Sequence, residues 1–335
     1  MTLPNKRLAS VYSYDRNFFE LEEMPIKDAL EMVGKRKVAW INIDGDLDDE
    51  IIDLLNDNLE IDPYELRFTV DHFQGKAHML DLGDAIFLTW ILTDQDGSET
   101  TLYPSHYLLG PDFLVSIQNK EEQYNEVINR LHNERSRLRR SNAGFLLYSL
   151  LNYTIEEFLD QVEKLSEDID FLEIRIIKTS DRSDLQEIRD LRDRVSSMWK
   201  VMRHLRETSE SLSNRPTPII QNEDRIFFNE LYNSIDLLMH EIDSLWQTIP
   251  QLIDIYENST SQQLNQIVKV LTVFSVLFAP LSLLAAIFSM NFAYMPGAEH
   301  PLGYPISLLL MFIVSIILLV YFQRKGFLSS VQKRD

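Results

Sequence analysis

The sequence predicts an α+β membrane protein. Its parts are an N-terminal cytosolic α/β domain with a mixed sheet, a long antiparallel helical pair, and a very long stalk helix that continues into the first of two C-terminal transmembrane helices. Three observations predict this. Alternating apolar patterns and hairpin turns fill residues 1 to about 118, three- and four-residue periodicity replaces them from Glu121, and two apolar runs without charge close the chain.

In the N-terminal part, "VAWINI" (Val38 to Ile43) alternates as a strand does, and "HMLDLGDAIFLTWIL" (His78 to Leu92) reads as two strands. Asp96-Gly97 is a turn before "TTLYPSHYLL", and Gly110-Pro111-Asp112 turns the chain into "FLVSI" (Phe113 to Ile117). Segments near Ile26 to Val33 and Asp48 to Asn56 read as helices. Further on, "SLLNYTIEEFLDQVEKLSEDIDFLEIRIIK" (Ser149 to Lys178) and "LQEIRDLRDRVSSMWKVMRHLRE" (Leu185 to Glu207) carry helical periods on either side of the polar break "TSDRSD". Pro216 and Pro218 end this pair and launch a third helix from about Ile219, interrupted before residue 279 only by Pro250, a modest kink at most.

No charge occurs from Val270 to Met295 or from Leu302 to Phe322. At about 1.5 Å per residue, roughly 20 residues cross a hydrocarbon core of about 30 Å, so each run is long enough to span a bilayer. Lys269 precedes the first run, Arg324 and Lys325 follow the second, and the connecting loop holds no Lys or Arg. The positive-inside bias therefore predicts a multi-pass protein of the plasma or inner membrane with both termini cytoplasmic and the loop from about Asn291 to Gly303 outside. Tyr304, Tyr321 and Phe322 stand where interfacial aromatics are expected. The N-terminus shows no secretory signal pattern, so the large N-terminal body is expected in the cytosol. The expected division is 1–135 α/β domain, 136–265 helical pair and stalk, 266–290 first span, 291–304 external loop, 305–323 second span and 324–335 basic tail.

Composition narrows the function. The net charge is -20 and there is no cysteine, which excludes disulfide frameworks and thiolate metal sites. Residues 266 to 335 hold five basic residues and two acids, +3; the first 265 then hold 27 basic residues against 50 acidic ones, or −23. An acidic body argues against nucleic acid as a partner and is compatible with attracting cations. No nucleophile elbow, P-loop, dinucleotide fingerprint or zinc-hydrolase motif is present, so no enzyme activity or organic cofactor is expected, and any transport is passive. Two helices cannot enclose an aqueous path, so conduction requires an oligomer.

One face of the first span carries the candidate chemistry. Thr272, Ser275, Ala279, Ser282, Ala286 and Ser289 follow one another at spacings of 3, 4, 3, 4 and 3, and Asp254, Asn258, Ser261 and Asn265 extend the same face backward. Small residues on a membrane helix commonly mark tight helix packing. The alternative is a water-facing pore lining, with Phe274, Leu277 and Leu283 turned elsewhere, and the polar continuity below the span favours it. Hydroxyls, amides and one carboxylate are hard oxygen donors suited to hydrated Mg²⁺, which releases water reluctantly.

The stretch "QLNQIVKVLTVFSVLFAPLSLLAAIFSMNFAYMP" (Gln263 to Pro296), followed by "GYP" (Gly303 to Pro305) and a second span with a basic tail, resembles the CorA-type divalent cation transporters. The likeness covers nearly the whole chain, including "HYLLGPDFLVSIQNKEE" and "LLYSLLNYTIEEFLDQVEKLSEDID". It implies a homopentameric funnel in the bilayer, with the long helix of each subunit lining a pore for divalent cations: Mg²⁺ first, Co²⁺ or Ni²⁺ as surrogates. It further implies that Ser289, Met290 and Asn291 take the place of the family's Gly-Met-Asn signature, Asn291 forming the selecting ring at the outer mouth. Asn265 falls on the asparagine at the cytoplasmic end of the pore, Leu271 and Ala279 on the hydrophobic gate, Ser282 on a position often held by Thr, and Asp254 on an acid of the funnel. Glu230 falls on an inter-subunit regulatory metal site, where bound Mg²⁺ would act from the cytosol. The stretch expected to offer its partner acid reads "PYELRF", with Arg67. Ser289 for Gly and Ala279 for Met are departures; the altered signature permits Zn²⁺ transport as an alternative, and a membrane-anchored, non-conducting cation sensor is a second.

Glu299 is the only carboxylate in the external loop, and His300 beside it is read as an ordinary polar loop residue rather than a metal ligand. The other histidines lack metal-ligand spacing, Trp40, Trp90, Trp199 and Trp246 are expected to pack, and the acids from Glu156 to Asp170 are expected to form a solvated helix face.

Overall fold

The computed structural model describes residues 7–35, 37–71, 76–96, 99–119, 123–290 and 302–325. The chain divides into two compact units, Met1–Leu172 with Gln186–Pro250, and Glu173–Leu185 with Gln251–Asp335.

The first unit is built on a seven-stranded mixed sheet. Its strands are β1 (Leu8–Tyr14), β2 (Phe19–Pro25), β3 (Val38–Asp44), β4 (His78–Asp81), β5 (Ile86–Asp96), β6 (Glu99–Leu109) and β7 (Phe113–Gln118), in the order β2-β1-β3-β7-β6-β5-β4. Only β3 and β7 run parallel, so the sheet joins an antiparallel group, β2-β1-β3, to an antiparallel meander, β4 to β7, along that seam. β1 and β2 carry weak strand signals, because β2, "FELEEMP", holds three glutamates and a proline and β1 mixes hydroxyls with aromatics.

Helices α1 (Ile26–Leu30), α2 (Asp49–Leu59) and α3 (Pro63–Asp71) cover one face of the sheet. Ile26, Ala29, Leu30, Ile51, Ile52, Leu55 and Leu66 bury themselves against Ile41, Ile43, Phe87, Val115 and Ile117. α2 starts where Asp48 accepts from the Ile51 amide and stops at Glu60 in the left-handed region (φ 55°), whose amide caps Asn56. α3, in "PYELRF", is a third helix that the sequence reading did not assign; its mixed apolar and charged pattern carries weak periodicity.

The opposite face carries Trp40, Trp90 and Tyr107, all fully buried. Trp40 Nε1 donates to Ser116 Oγ at 2.8 Å, Ser116 in turn to Asn42, and Trp90 Nε1 donates to Thr154 Oγ1 at 2.9 Å, so each indole finds the partner that burial demands. Thr154 lies on α5 (Ala143–Lys178), preceded by α4 (Asn125–His132) and a 3₁₀ turn at Leu138–Arg140.

α5 and α6 (Arg182–Asn214) form the long pair, and the acids Glu156, Asp160, Glu163, Glu167, Asp168 and Asp170 are exposed as expected of a solvated face. The next helix, α7, runs Arg225–Ser289, 65 residues, so it starts six residues later than Ile219. Ile219 and Ile220 are buried instead as part of the connection, and a turn from Asp224 N to Gln221 O precedes the helix. α7 passes through Pro250 and Pro280 without interruption, each proline removing one backbone donor. α8 is Gly303–Arg324. Trp199 donates to Asp243 at 2.8 Å across α6 and α7, whereas Trp246 is 43% exposed and is not the packing residue expected of it.

His106 gives the N-terminal unit an acid sensitivity. It is buried, stacks on Phe87 with centroids 5.7 Å apart, and its Nδ1 lies 3.1 Å from Thr89 Oγ1, so burial holds its pKa down at about 4. The unfolded imidazole titrates near 6.5, so between 6.5 and about 4 the unfolded state binds more protons and stability falls as pH falls. The expected loss over that window is on the order of 3 kcal/mol relative to His106→Gln. Thermal unfolding of both proteins from pH 7.5 to 4.5 checks it; parallel curves would refute it.

Candidate functional site

The candidate residues stand on α7, and the reason is continuity of hydrogen-bonded helix from Arg225 to Ser289. Asp254, Asn258, Ser261, Asn265, Leu271, Thr272, Ser275, Ala279, Ser282, Ala286 and Ser289 are all exposed in the single chain, and so is Met290 just past the helix end. Asn291 and Glu299 lie outside the described residues.

Exposure does not distinguish the polar face here, because Leu271 (64%), Phe274 (57%) and Leu283 (62%) are exposed as well. Apolar side chains open to this degree all around a helix need a non-aqueous environment. α7 and α8 are the two helices, among the described residues, long and apolar enough to cross a membrane. Over the span, polar or small groups occupy one stripe and large apolar groups the remainder.

Two hydroxyls of the stripe are oriented by the helix itself. Thr272 Oγ1 donates to the Val268 carbonyl at 2.7 Å, and Ser289 Oγ to the Ala286 carbonyl at 2.8 Å. Their protons are thus committed to the backbone, and what they offer outward is oxygen lone pairs, acceptors for the waters of a hydrated cation. The stripe repeats at 3.5 residues, whereas a straight helix turns every 3.6, so it drifts by roughly 20° per heptad. Over the five heptads from Asp254 to Ser289 the drift sums to about 100°, so the stripe still keeps to one side of a straight helix.

Glu230, near the start of α7, is exposed and sits against the Tyr148 phenol of α5, whose pKa is raised by burial and by the Glu230 carboxylate. No group of three or more acidic or histidine side chains that could hold a metal occurs among the described residues. Arg67, in the stretch expected to offer a partner acid, instead bonds two carboxylates of its own subunit, Asp49 at 2.8 Å and Asp53 at 2.6 Å on α2.

A mixed α/β unit, a long helical pair and a 65-residue helix that enters one of two spans define a class: two-span membrane proteins whose large N-terminal part is continuous with the helix that enters the bilayer. The chain belongs to the CorA-like Mg²⁺ transporter protein family, whose model matches residues 35–324. It is thus a transporter of divalent cations rather than an enzyme. It is 26% identical over 313 residues to the cobalt/magnesium transport protein CorA of Thermotoga maritima, covering 93% of this chain and 89% of that protein. The magnesium transport protein CorA of Yersinia pseudotuberculosis is 30% identical over 193 residues, 56% of this chain and 60% of that one. Among solved structures, the complete CorA magnesium transporter of Methanocaldococcus jannaschii superposes with TM-score 0.74 at 22% identity, covering 98% of this chain and 100% of that one. The ZntB cytoplasmic domain of Vibrio parahaemolyticus gives 0.60 at 11% identity, over 76% and 99%, and shares the fold.

Tyr148, the neighbour of Glu230, leaves no mark in the sequence, because a tyrosine on an amphipathic helix carries no signal apart from core packing. Arg67 was visible in sequence, but its carboxylate partners Asp49 and Asp53 became neighbours only when α2 and α3 packed together.

Proposed function

We propose that five copies of this chain form a channel-like transporter that takes up hydrated Mg²⁺, with Co²⁺ or Ni²⁺ as surrogates, down the electrochemical gradient. The observation that carries this reading is the stripe of polar or small residues on α7, from Asp254 below the span to Ser289 at its far end, on a chain of this family. The names of its relatives, cobalt/magnesium and magnesium transport proteins, support the choice of ion.

In this reading both termini are cytoplasmic, the boundaries at 135, 265, 290, 304 and 323 separate domain, stalk, spans, loop and tail, and Glu299 gathers cations outside. Asn291 of each subunit contributes to an amide ring at the outer mouth, where carbonyls accept from the ion's water shell and avoid the overly tight hold of a carboxylate ring. Thr272, Ser275, Ala279, Ser282 and Ala286 line the membrane passage, Leu271 and Ala279 narrow it, and Asn265, Ser261, Asn258 and Asp254 continue it into the cytosol. The membrane potential supplies about 2.3 kcal/mol per charge per 100 mV. Cytosolic Mg²⁺ at Glu230 favours the closed state, and the second half of that site comes from another subunit, as the family resemblance implies.

The test is a multi-ion flux assay on purified protein in proteoliposomes. Mg²⁺ entry that Co²⁺ and Ni²⁺ compete with, and Zn²⁺ does not dominate, is the expected result. Preferred Zn²⁺ entry would move the substrate to zinc, the alternative that Ser289 in place of Gly permits. Absence of flux for every divalent ion, alongside a metal-dependent conformational change, would replace transport by sensing.

A further inference from the structure

The turn between α5 and α6 is tightly organised and fastened to α7. α5 ends with the Thr179 amide bonded to the Arg175 carbonyl, and Ser180 adopts the left-handed region (φ 45°) while its hydroxyl donates to the Ile176 carbonyl at 2.6 Å. Asp184, 1% exposed, accepts from the Asp181 amide at 2.8 Å and from Arg175 Nε at 2.9 Å, so the first turn of α6 is closed by a capping-box half and tied to the last turn of α5.

Carbonyls at a helix C-terminus have no partner within their own helix. Here two carbonyls at the end of α5 are met from another element. Ser259 Oγ donates to the Ile176 carbonyl at 3.1 Å, and Gln263 Nε2 to the Thr179 carbonyl at 2.6 Å. Ser259 and Gln263 are one turn apart on α7. At about 100° per residue they stand roughly 150° around the helix from the face that carries Asn258, Ser261 and Asn265. Gln263 lies seven positions before Val270, about 10 Å along the axis from the start of the charge-free run.

We propose that Ser259 and Gln263 are positioning residues: by fastening the back of α7 to the rigid α5–α6 turn, they fix the rotation of the helix so that Asn258 and Asn265 face the ion path. This rests on the pore reading of the α7 stripe and adds how its orientation is set just below the membrane. At this level α7 is half-buried on its back, at Ile255, Tyr256, Ser259, Thr260 and Gln263, and exposed at Asn258, Ser261 and Asn265, so contacts on the back are what choose one rotation over another. Two hydrogen bonds to fixed backbone carbonyls choose it, because they can form at one rotation only. Each side chain acts through the asparagines and touches no ion.

The chain has no cysteine, so single cysteines report without a background. Asn258→Cys, Asn265→Cys and the flanking Leu264→Cys and Gln266→Cys are made in the unaltered protein and in Ser259→Ala, Gln263→Leu and the double variant. Proteins in lipid nanodiscs are then treated with a cationic methanethiosulfonate. In the unaltered background the Asn258→Cys and Asn265→Cys proteins react faster than the two flanking ones. Each latch substitution is expected to lower that ratio about fivefold, the scale of one net hydrogen bond of about 1 kcal/mol, and Ser259→Thr, which keeps the donor, restores it. An unchanged ratio in latch variants that keep the native oligomer overturns the inference. Ser259→Ala alone decides it if Gln263→Leu does not assemble. Equal reactivity at all four positions in the unaltered protein would instead overturn the pore reading itself.

Discussion

Asn291→Ala abolishes or deregulates divalent-cation flux into proteoliposomes. In the proposed pentamer a single substitution removes the whole amide ring, leaving the hydrated ion's waters without their acceptors at the outer mouth. Losing even one net hydrogen bond of about 1.4 kcal/mol changes an equilibrium about tenfold, so discrimination among Mg²⁺, Co²⁺ and Ni²⁺ is expected to fall by at least about tenfold. Asn291→Asp is the informative counterpart, since a ring of full charges holds the ion tightly and slows its release. Equally selective, undiminished flux in Asn291→Ala would remove the selectivity claim while leaving transport in place.

Gly110→Ala destabilises the N-terminal unit severely. Gly110 opens the turn between β6 and β7, and a Cβ there would stand 2.0 Å from Phe113 Cε1 and 2.5 Å from Cζ. Phe113 is 7% exposed and belongs to the cluster beneath α1 and α2, so its rigid ring cannot step aside without leaving the core. Overpacking costs about 1–3 kcal/mol and losing a buried phenylalanine about 3–5 kcal/mol, so a loss of about 3 kcal/mol is expected. Gly34→Ala is the comparison: its Cβ meets nothing within 4 Å, and only the positive φ of 76° penalises it, by about 1 kcal/mol. Thermal unfolding in detergent orders the three proteins. Gly110→Ala unfolding no earlier than Gly34→Ala would contradict the packing argument.

How legible the molecule was depended on how local each cause is. The strands of "VAWINI" and "FLVSI" were plain because buried strands advertise themselves in runs of β-branched and aromatic residues, whereas β2, with no fully buried side chain, was silent. The start of α7 was misplaced because Ile219 and Ile220 share a helical period with the residues from Arg225 onward, yet their burial serves the connection. The helix that carries the α7 stripe was legible, since periodicity along one helix is a property of the chain alone. The partners of Glu230 and Arg67 were not, since Tyr148, Asp49 and Asp53 reach them only through packing between helices.

The sequence by itself determined the mixed sheet succeeded by helices, the two spans and the polar face of α7, because periodicity and charge exclusion act over consecutive residues and need no neighbour in space. The tertiary structure alone decided the parallel β3–β7 seam, the confinement of Arg67 between two carboxylates, and the fastening of α5's last carbonyls to Ser259 and Gln263. Each of these joins residues far apart in the chain through backbone or charged groups whose partners no local pattern records.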